Sequence, residues 1–233
     1  MPSPAIKTIA RFTGLFTLLT IAAGVFAQTY VSNQLINFKD AASTAANIAG
    51  QPGLVRLGFA AYMVEMASQI ASTALFYELL RPVGLGINLV TAFLSLAGCV
   101  IKALSRVFFI APLLVLGGVM PDLEVFSAPQ IQALSLVLLG INDWGAAMAL
   151  IFFGLSTTLR GCLILRSAFL PRPLGALTIV AGIGCLLFLY PPVGYRLFPL
   201  IAGVGLMGSA ATVFWLLVFG VDEERWRARS SAR

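Results

Sequence analysis

Apolar residues gather in six long runs, with polar or helix-breaking residues between them: residues 12–30, 54–80, 87–110, 140–160, 174–190 and 199–221. Leu, Ile, Val, Phe and Ala dominate each run, without the period-two alternation of a barrel strand, so the pattern predicts helices. A helix needs about 20 such residues to cross about 30 Å of hydrocarbon, and several runs are long enough. Pro52-Gly53 opens the second run and Arg81-Pro82-Val83-Gly84 closes it, since proline cannot continue a helix. The third run can extend to Leu116. The fourth follows Pro129, a residue suited to a first helical turn, and ends near Arg160 or Leu165. The fifth lies between Pro171-Arg172-Pro173 and Pro191-Pro192. Residues 33–50 are polar and alanine-rich, and Asp40 is expected to cap a short helix there, outside the hydrocarbon. No repeat of fixed period and no domain boundary is visible. The expectation is an all-α polytopic membrane helix bundle, one unit over residues 1–233, with six transmembrane helices.

Composition sharpens this. Hydrophobic residues make up 59% of the 233 residues and charged residues 10%, with a mean hydropathy of +0.96. A soluble domain carries roughly 25% charged residues to hydrate its surface. A soluble enzyme, a disordered chain and a free nucleic-acid-binding domain are therefore excluded, and no nucleic-acid partner is expected. The chain has no histidine. That excludes His-ligated haem or zinc and any Ser-His-Asp or Cys-His arrangement, so neither a metal nor a cofactor is expected. Cys99, Cys162 and Cys185 lie in or beside apolar runs with no CxxC spacing and read as small hydrophobes.

The net charge of +6 is unevenly placed. Lys7, Arg11, Arg81, Arg160, Arg166, Arg172 and the arginines of residues 225–233 flank alternate ends of the runs. The other ends carry Lys39, Arg56 and Arg196, with an acidic loop at Asp122 and Glu124. Lys and Arg concentrate on the cytoplasmic side of membrane proteins, which puts both termini in the cytoplasm. A rival reading takes Lys7, Arg11 and the small residues near Val25-Phe26-Ala27 as a cleaved signal, leaving five spans.

Ionisable residues inside the runs are the best pointers to function, because each costs about 2.5–3.5 kcal/mol at a helix centre on insertion scales. They are Glu65 with Tyr62 and Gln69 in the second run, Lys102 and Arg106 in the third, and Asn142 and Asp143 in the fourth. Counted from the basic ends at 1.5 Å per residue, Glu65, Lys102 and Asp143 all lie about 24–26 Å up. Opposite signs at one depth predict a shared polar layer. These seven residues form the candidate ligand site, with Glu65 and Asp143 the candidate acid and base were it catalytic. The bland alternative is interhelical packing or snorkelling to the interface. Glu78 sits within one turn of Arg81 and reads as a surface pair. Gly154 with Thr158, and Gly205 with Ser209, read as close-packing positions. Tyr190, Tyr195 and Trp226 read as interfacial aromatics, and residues 222–233 as a solvated tail.

The chain also resembles a bacterial family of six-helix membrane proteins described as domain of unknown function 4386. The resemblance is carried by Ile9-Ala10-Arg11-Phe12-Thr13-Gly14-Leu15 with Ala22-Ala23-Gly24-Val25, by Asp40-Ala41-Ala42 with Ala45-Ala46-Asn47-Ile48, and by Arg56-Leu57-Gly58-Phe59. It continues through Leu75-Phe76-Tyr77, Leu80-Arg81-Pro82-Val83 and Ile151-Phe152-Phe153-Gly154-Leu155. It ends with Gly161-Cys162-Leu163-Ile164 and Arg166-Ser167-Ala168-Phe169-Leu170-Pro171-Arg172-Pro173-Leu174-Gly175. It implies a six-helix fold in a bacterial inner membrane and lends no activity. Where its members often carry His before the Phe-Phe-Gly-Leu helix, this chain has Asn142, so no imidazole role carries over.

Three functions stay open: binding or moving a small amphipathic molecule, intramembrane chemistry on a lipid or isoprenoid, and a structural or accessory role. Membrane lipid is the expected partner in each. No oligomeric state follows from the sequence.

Overall fold

The computed structural model describes residues 6–118 and 123–231, apart from the side chain of Glu124. Asp122 of the expected acidic loop lies outside the described residues. Among these the chain is helical, with no strand. The helices are α1 (Ile6–Val25), α2 (Ser32–Leu35), α3 (Ala41–Gly50), α4 (Pro52–Leu80), α5 (Leu85–Leu116), α6 (Ala128–Arg166), α7 (Arg172–Leu186), α8 (Pro191–Arg196), α9 (Phe198–Val218) and α10 (Glu223–Ser231). A π-helical segment, Phe26–Val31, joins α1 to α2.

Five stretches are long and apolar enough to cross a membrane: Ile6–Leu35, Leu85–Leu116, Ala128–Arg166, Arg172–Leu189 and Phe198–Val218. The sixth expected span is α4. Its 29 residues are long enough, but it carries Arg56, Glu65, Gln69 and Glu78 and does not qualify on composition. Large apolar side chains face outward along these helices, among them Phe93, Leu104, Leu200, Met207 and Phe214. A soluble protein rarely tolerates so much contiguous exposed apolar surface, whereas lipid accepts it.

The boundaries follow local chemistry. Asp40 caps α3 as expected, its Oδ1 accepting from the Ser43 amide at 3.0 Å. α5 passes Pro112 and runs to Leu116. α6 runs past Arg160 to Arg166, so Arg160 lies within the helix and not at its edge. Gly220, at φ +69, ends α9 by donating to the Trp215 carbonyl at 3.0 Å in a left-handed turn that glycine adopts freely.

The chain divides into two compact units. Unit one comprises residues 1–20, 67–100 and 147–233. Its main apolar cluster includes Phe76, Leu79, Leu80, Leu163, Ile164, Leu174 and Leu216. Here α6 and α7 meet backbone to backbone. A Cβ on Gly161 would stand 2.8 Å from the Gly175 carbonyl oxygen, and one on Gly154 would stand 2.8 Å from that of Gly182. The expected close packing at Gly154 and Thr158 is therefore present, with Thr158 against Gly182. Gly205 is different, because nothing lies within 4 Å of its Cβ position.

The tail of unit one is solvated along most of its length, as expected, and Trp226 anchors it. Trp226 Nε1 donates to the Leu79 carbonyl at 2.9 Å, and its ring packs on the main cluster. Arg225 Nη1 reaches the Ala168 carbonyl at 3.2 Å. Glu78 pairs with Arg81 at 3.7 Å on the surface, as expected.

Unit two comprises residues 21–66 and 101–146. Ala27, Val31, Leu35, Ile48, Val55, Tyr62, Phe109 and Leu139 form its apolar cluster. The candidate polar residues other than Gln69 belong to this unit.

Candidate functional site

In unit two, α4 and α5 bring a carboxylate and an ammonium together. Lys102 Nζ donates to Glu65 Oε1 in an ion pair, with Glu65 buried and Lys102 only slightly exposed. Tyr62 and Glu65 are three residues apart, about one helical turn, so both project from one face of α4. Lys102 and Arg106, four apart, share a face of α5 in the same way. Arg106 is 1% exposed. Its guanidinium lies 3.7 Å from the centroid of the Tyr62 ring, and Nη1 donates to Asn142 Oδ1 of α6 at 2.8 Å. Phe109 meets Tyr62 edge-on at 5.2 Å, closing the apolar side of the stack.

Tyr62 carries the network on to the π segment. Its hydroxyl donates to Gln28 Oε1 at 3.0 Å and lies 3.2 Å from Ser32 Oγ. Gln28 is exposed, so a chain of polar contacts runs from the buried Arg106 to the surface of the unit. Two glycines allow the close approach this needs. A Cβ on Gly24 would meet Glu65 Oε1 at 2.8 Å, and one on Gly145 would meet Ser105 Cβ at 2.5 Å. The second contact brings α6 against α5 one turn from the Arg106–Asn142 bond.

The network leaves two buried polar atoms without a hydrogen-bond partner, Glu65 Oε2 and Arg106 Nε. Buried donors and acceptors are nearly always satisfied, and an orphan costs about 1–3 kcal/mol, more when charged. The charges of Glu65 and Asp143 both act on Arg106. The direct partner of its guanidinium is nevertheless the neutral Asn142 amide.

Most of the seven sequence candidates therefore lie in this unit in two sets of contacts, Glu65 with Lys102 and Arg106 with Tyr62 and Asn142, with the charges of Glu65 and Asp143 acting on Arg106. Gln69 does not join them. It lies in unit one, where its Nε2 donates to Ser95 at 3.4 Å. One turn along α4, Thr73 also bonds Ser95, at 2.7 Å. Sequence reading missed Gln28 and Ser32, whose contact with Tyr62 depends on the π segment. It also missed Arg160, read as a membrane-edge charge. In unit one its guanidinium stands 4.4 Å from the centroid of the Phe76 ring. The signal that could have found it is its place inside the Gly154–Gly161 packing stretch, where a loop is excluded. Among the described residues no group of three or more Cys, Asp or Glu could hold a metal ion.

Apolar helices with outward-facing hydrophobic side chains, and a charged network held between helices, define a multi-pass α-helical membrane protein. Within that class, the chain belongs to the family described as domain of unknown function DUF4386, which it matches over residues 12–220. No curated protein matches the chain, and no solved structure does either.

Proposed function

We propose that this protein binds a small amphipathic molecule in the membrane, with Arg106 and Lys102 receiving its anionic group. The reading rests on Arg106. A guanidinium buried to 1% exposure, stacked on Tyr62 and hydrogen-bonded to a neutral amide with its Nε unpartnered, is a cation that keeps a donor for an added anion. Intramembrane cations are costly and normally paired. Asn142 fixes the orientation without neutralising the charge, while Glu65 holds Lys102 beside it. The apolar tail of the ligand would lie along Phe109 and the surrounding aliphatic residues.

On this reading α4 is a sixth span despite its polarity, since Glu65 enters the membrane already paired. Six spans return the chain to its starting side. The asymmetry of Lys and Arg then supports both termini on the cytoplasmic side, and a bacterial inner membrane is what the family resemblance implies.

The test is the thermal stability of the full chain in dodecyl maltoside, titrated with decanoate, octyl phosphate and, as an uncharged control, decanol. A ligand that binds only the folded form raises its apparent stability. One of the anions should give a saturable rise that decanol does not, and Arg106→Met should abolish it. Responses to neither anion, or equal responses in wild type and Arg106→Met, would overturn the reading.

A further inference from the structure

Arg160 in unit one is a second cation that the Arg106 network does not use. It lies within α6, six residues and so about 9 Å before the helix end at Arg166. Its guanidinium rests on the Phe76 ring at 4.4 Å, and its Nε is buried with no hydrogen-bond partner. Among the described residues no carboxylate forms an ion pair with it. It borders a narrow interstice with Thr73, Phe76, Tyr77, Asn88 and Thr91.

The polar groups of that interstice are already engaged with the protein. Asn88 Nδ2 donates to the Tyr77 carbonyl at 2.6 Å. Thr91 Oγ1 donates to the Ile87 carbonyl at 2.8 Å, and Thr73 Oγ1 lies 2.7 Å from Ser95 Oγ. The Thr91 carbonyl itself accepts from Ser156 at 2.8 Å. The interstice does not admit a water molecule, so interior water cannot satisfy the guanidinium either. Arg160 as a whole keeps partial exposure. Among the described residues no hydrogen bond from its two Nη atoms is present, which leaves them open to a partner at the mouth of the interstice.

We infer that Arg160 is a binding site for a phosphate group, met end-on by the two Nη atoms at that mouth. Three observations choose phosphate. A planar guanidinium presents paired N–H donors that match phosphate oxygens. The ring of Phe76 holds the guanidinium in one plane, so the fork is set before the anion arrives. The residue is within snorkelling reach of the end of α6, where lipid phosphates lie if the helix spans the membrane. A phosphodiester of a membrane lipid and free inorganic phosphate share this chemistry. The site uses no residue of the Arg106 network and does not depend on the reading given to that network.

The test uses the full chain in dodecyl maltoside, stripped of co-purifying lipid, with unfolding temperature as the readout. The probes are dihexanoyl phosphatidylglycerol, inorganic phosphate and dihexanoylglycerol, which has the same tails and no phosphate. The phosphatidylglycerol should stabilise the protein saturably and dihexanoylglycerol should not. Arg160→Met should raise the half-saturating concentration by about tenfold or more, the scale of a lost charged hydrogen bond. Arg160→Lys, which keeps the charge and is the safer variant to fold, should fall between the two. A full response to inorganic phosphate alone would identify the free ion as the source and support the site. Equal responses in wild type, Arg160→Lys and Arg160→Met would overturn it. So would a response to dihexanoylglycerol as large as that to phosphatidylglycerol, or no response to either phosphate probe.

Discussion

The guanidinium of Arg106 lies 3.7 Å above the ring of Tyr62. The ring face supplies electron density to a buried cation, and the hydroxyl of the same residue is anchored by Gln28 and Ser32. These two contributions can be separated. Tyr62→Phe keeps the face and removes the hydroxyl, which should cost about 1 kcal/mol. Tyr62→Leu removes both, and the desolvated cation–π contact adds about 2 kcal/mol to the loss. Thermal unfolding in detergent would measure the order. Equal effects of the two variants would mean that the stack contributes nothing.

The Glu65–Lys102 pair should be strongly coupled. Glu65→Gln leaves a buried ammonium without its partner, a change that costs about 3–5 kcal/mol in comparable sites. Lys102→Met in the same chain should recover part of that loss. A double-mutant cycle on unfolding reads the coupling directly, and additive effects would show two independent side chains.

At the α6–α7 contact, Gly161→Ala places a methyl group 2.8 Å from the Gly175 carbonyl oxygen, a backbone atom that cannot swing aside. Overpacking of this kind costs about 1–3 kcal/mol. Gly205→Ala, where nothing lies within 4 Å, should leave stability unchanged or raise it. Unfolding temperatures of the two variants decide whether the glycines are used for contact or are incidental.

The docked tail gives a further test. Trp226→Phe keeps an aromatic ring against the main cluster of unit one but deletes the indole bond to the Leu79 carbonyl. Hydrogen exchange across α10 should quicken while the rest of unit one is unaffected. Unchanged exchange would mean that the bond does not hold the helix.

Topology can be read with single cysteines in a cysteine-free background. Val125→Cys, at an 81% exposed position, should react with an impermeant maleimide on intact cells. Ser230→Cys should react only after the cells are opened. The reverse pattern would invert the orientation drawn from the Lys and Arg asymmetry.

The elements were legible because proline and glycine bound the apolar runs and because Asp40 announces a cap. The pairing of Glu65 with Lys102 was legible too, since depth along a helix can be counted from its ends. Depth is a single coordinate, however, and azimuth decides which neighbour a side chain meets. Gln69 is one turn from Glu65 on α4, yet it is drawn to Ser95 in unit one. Arg160 was misplaced for a related reason. A lone arginine after a long apolar run looks like the end of a span, and of the two ends the sequence offered, Arg160 and Leu165, the structure bears out the later one. The bond from the Trp226 indole to the Leu79 carbonyl was not legible, because the sequence does not say which carbonyl an indole finds.

The π segment at Phe26–Val31 acts as a phase shifter in the first span. A π turn holds about one residue more than an α turn, so everything after it is rotated by about 100° relative to an uninterrupted α-helix. A helical wheel drawn straight through residues 6–35 superposes two faces that are separate in the folded chain. That is why Gln28 looks like one more polar interruption in an apolar run. Deleting the exposed Thr29 would remove none of these contact partners, yet it would swing Ser32 and Leu35 about a quarter turn out of alignment with Gly24. The span would keep its length and hydropathy while losing the angular bookmark that lets Tyr62 find both Gln28 and Ser32.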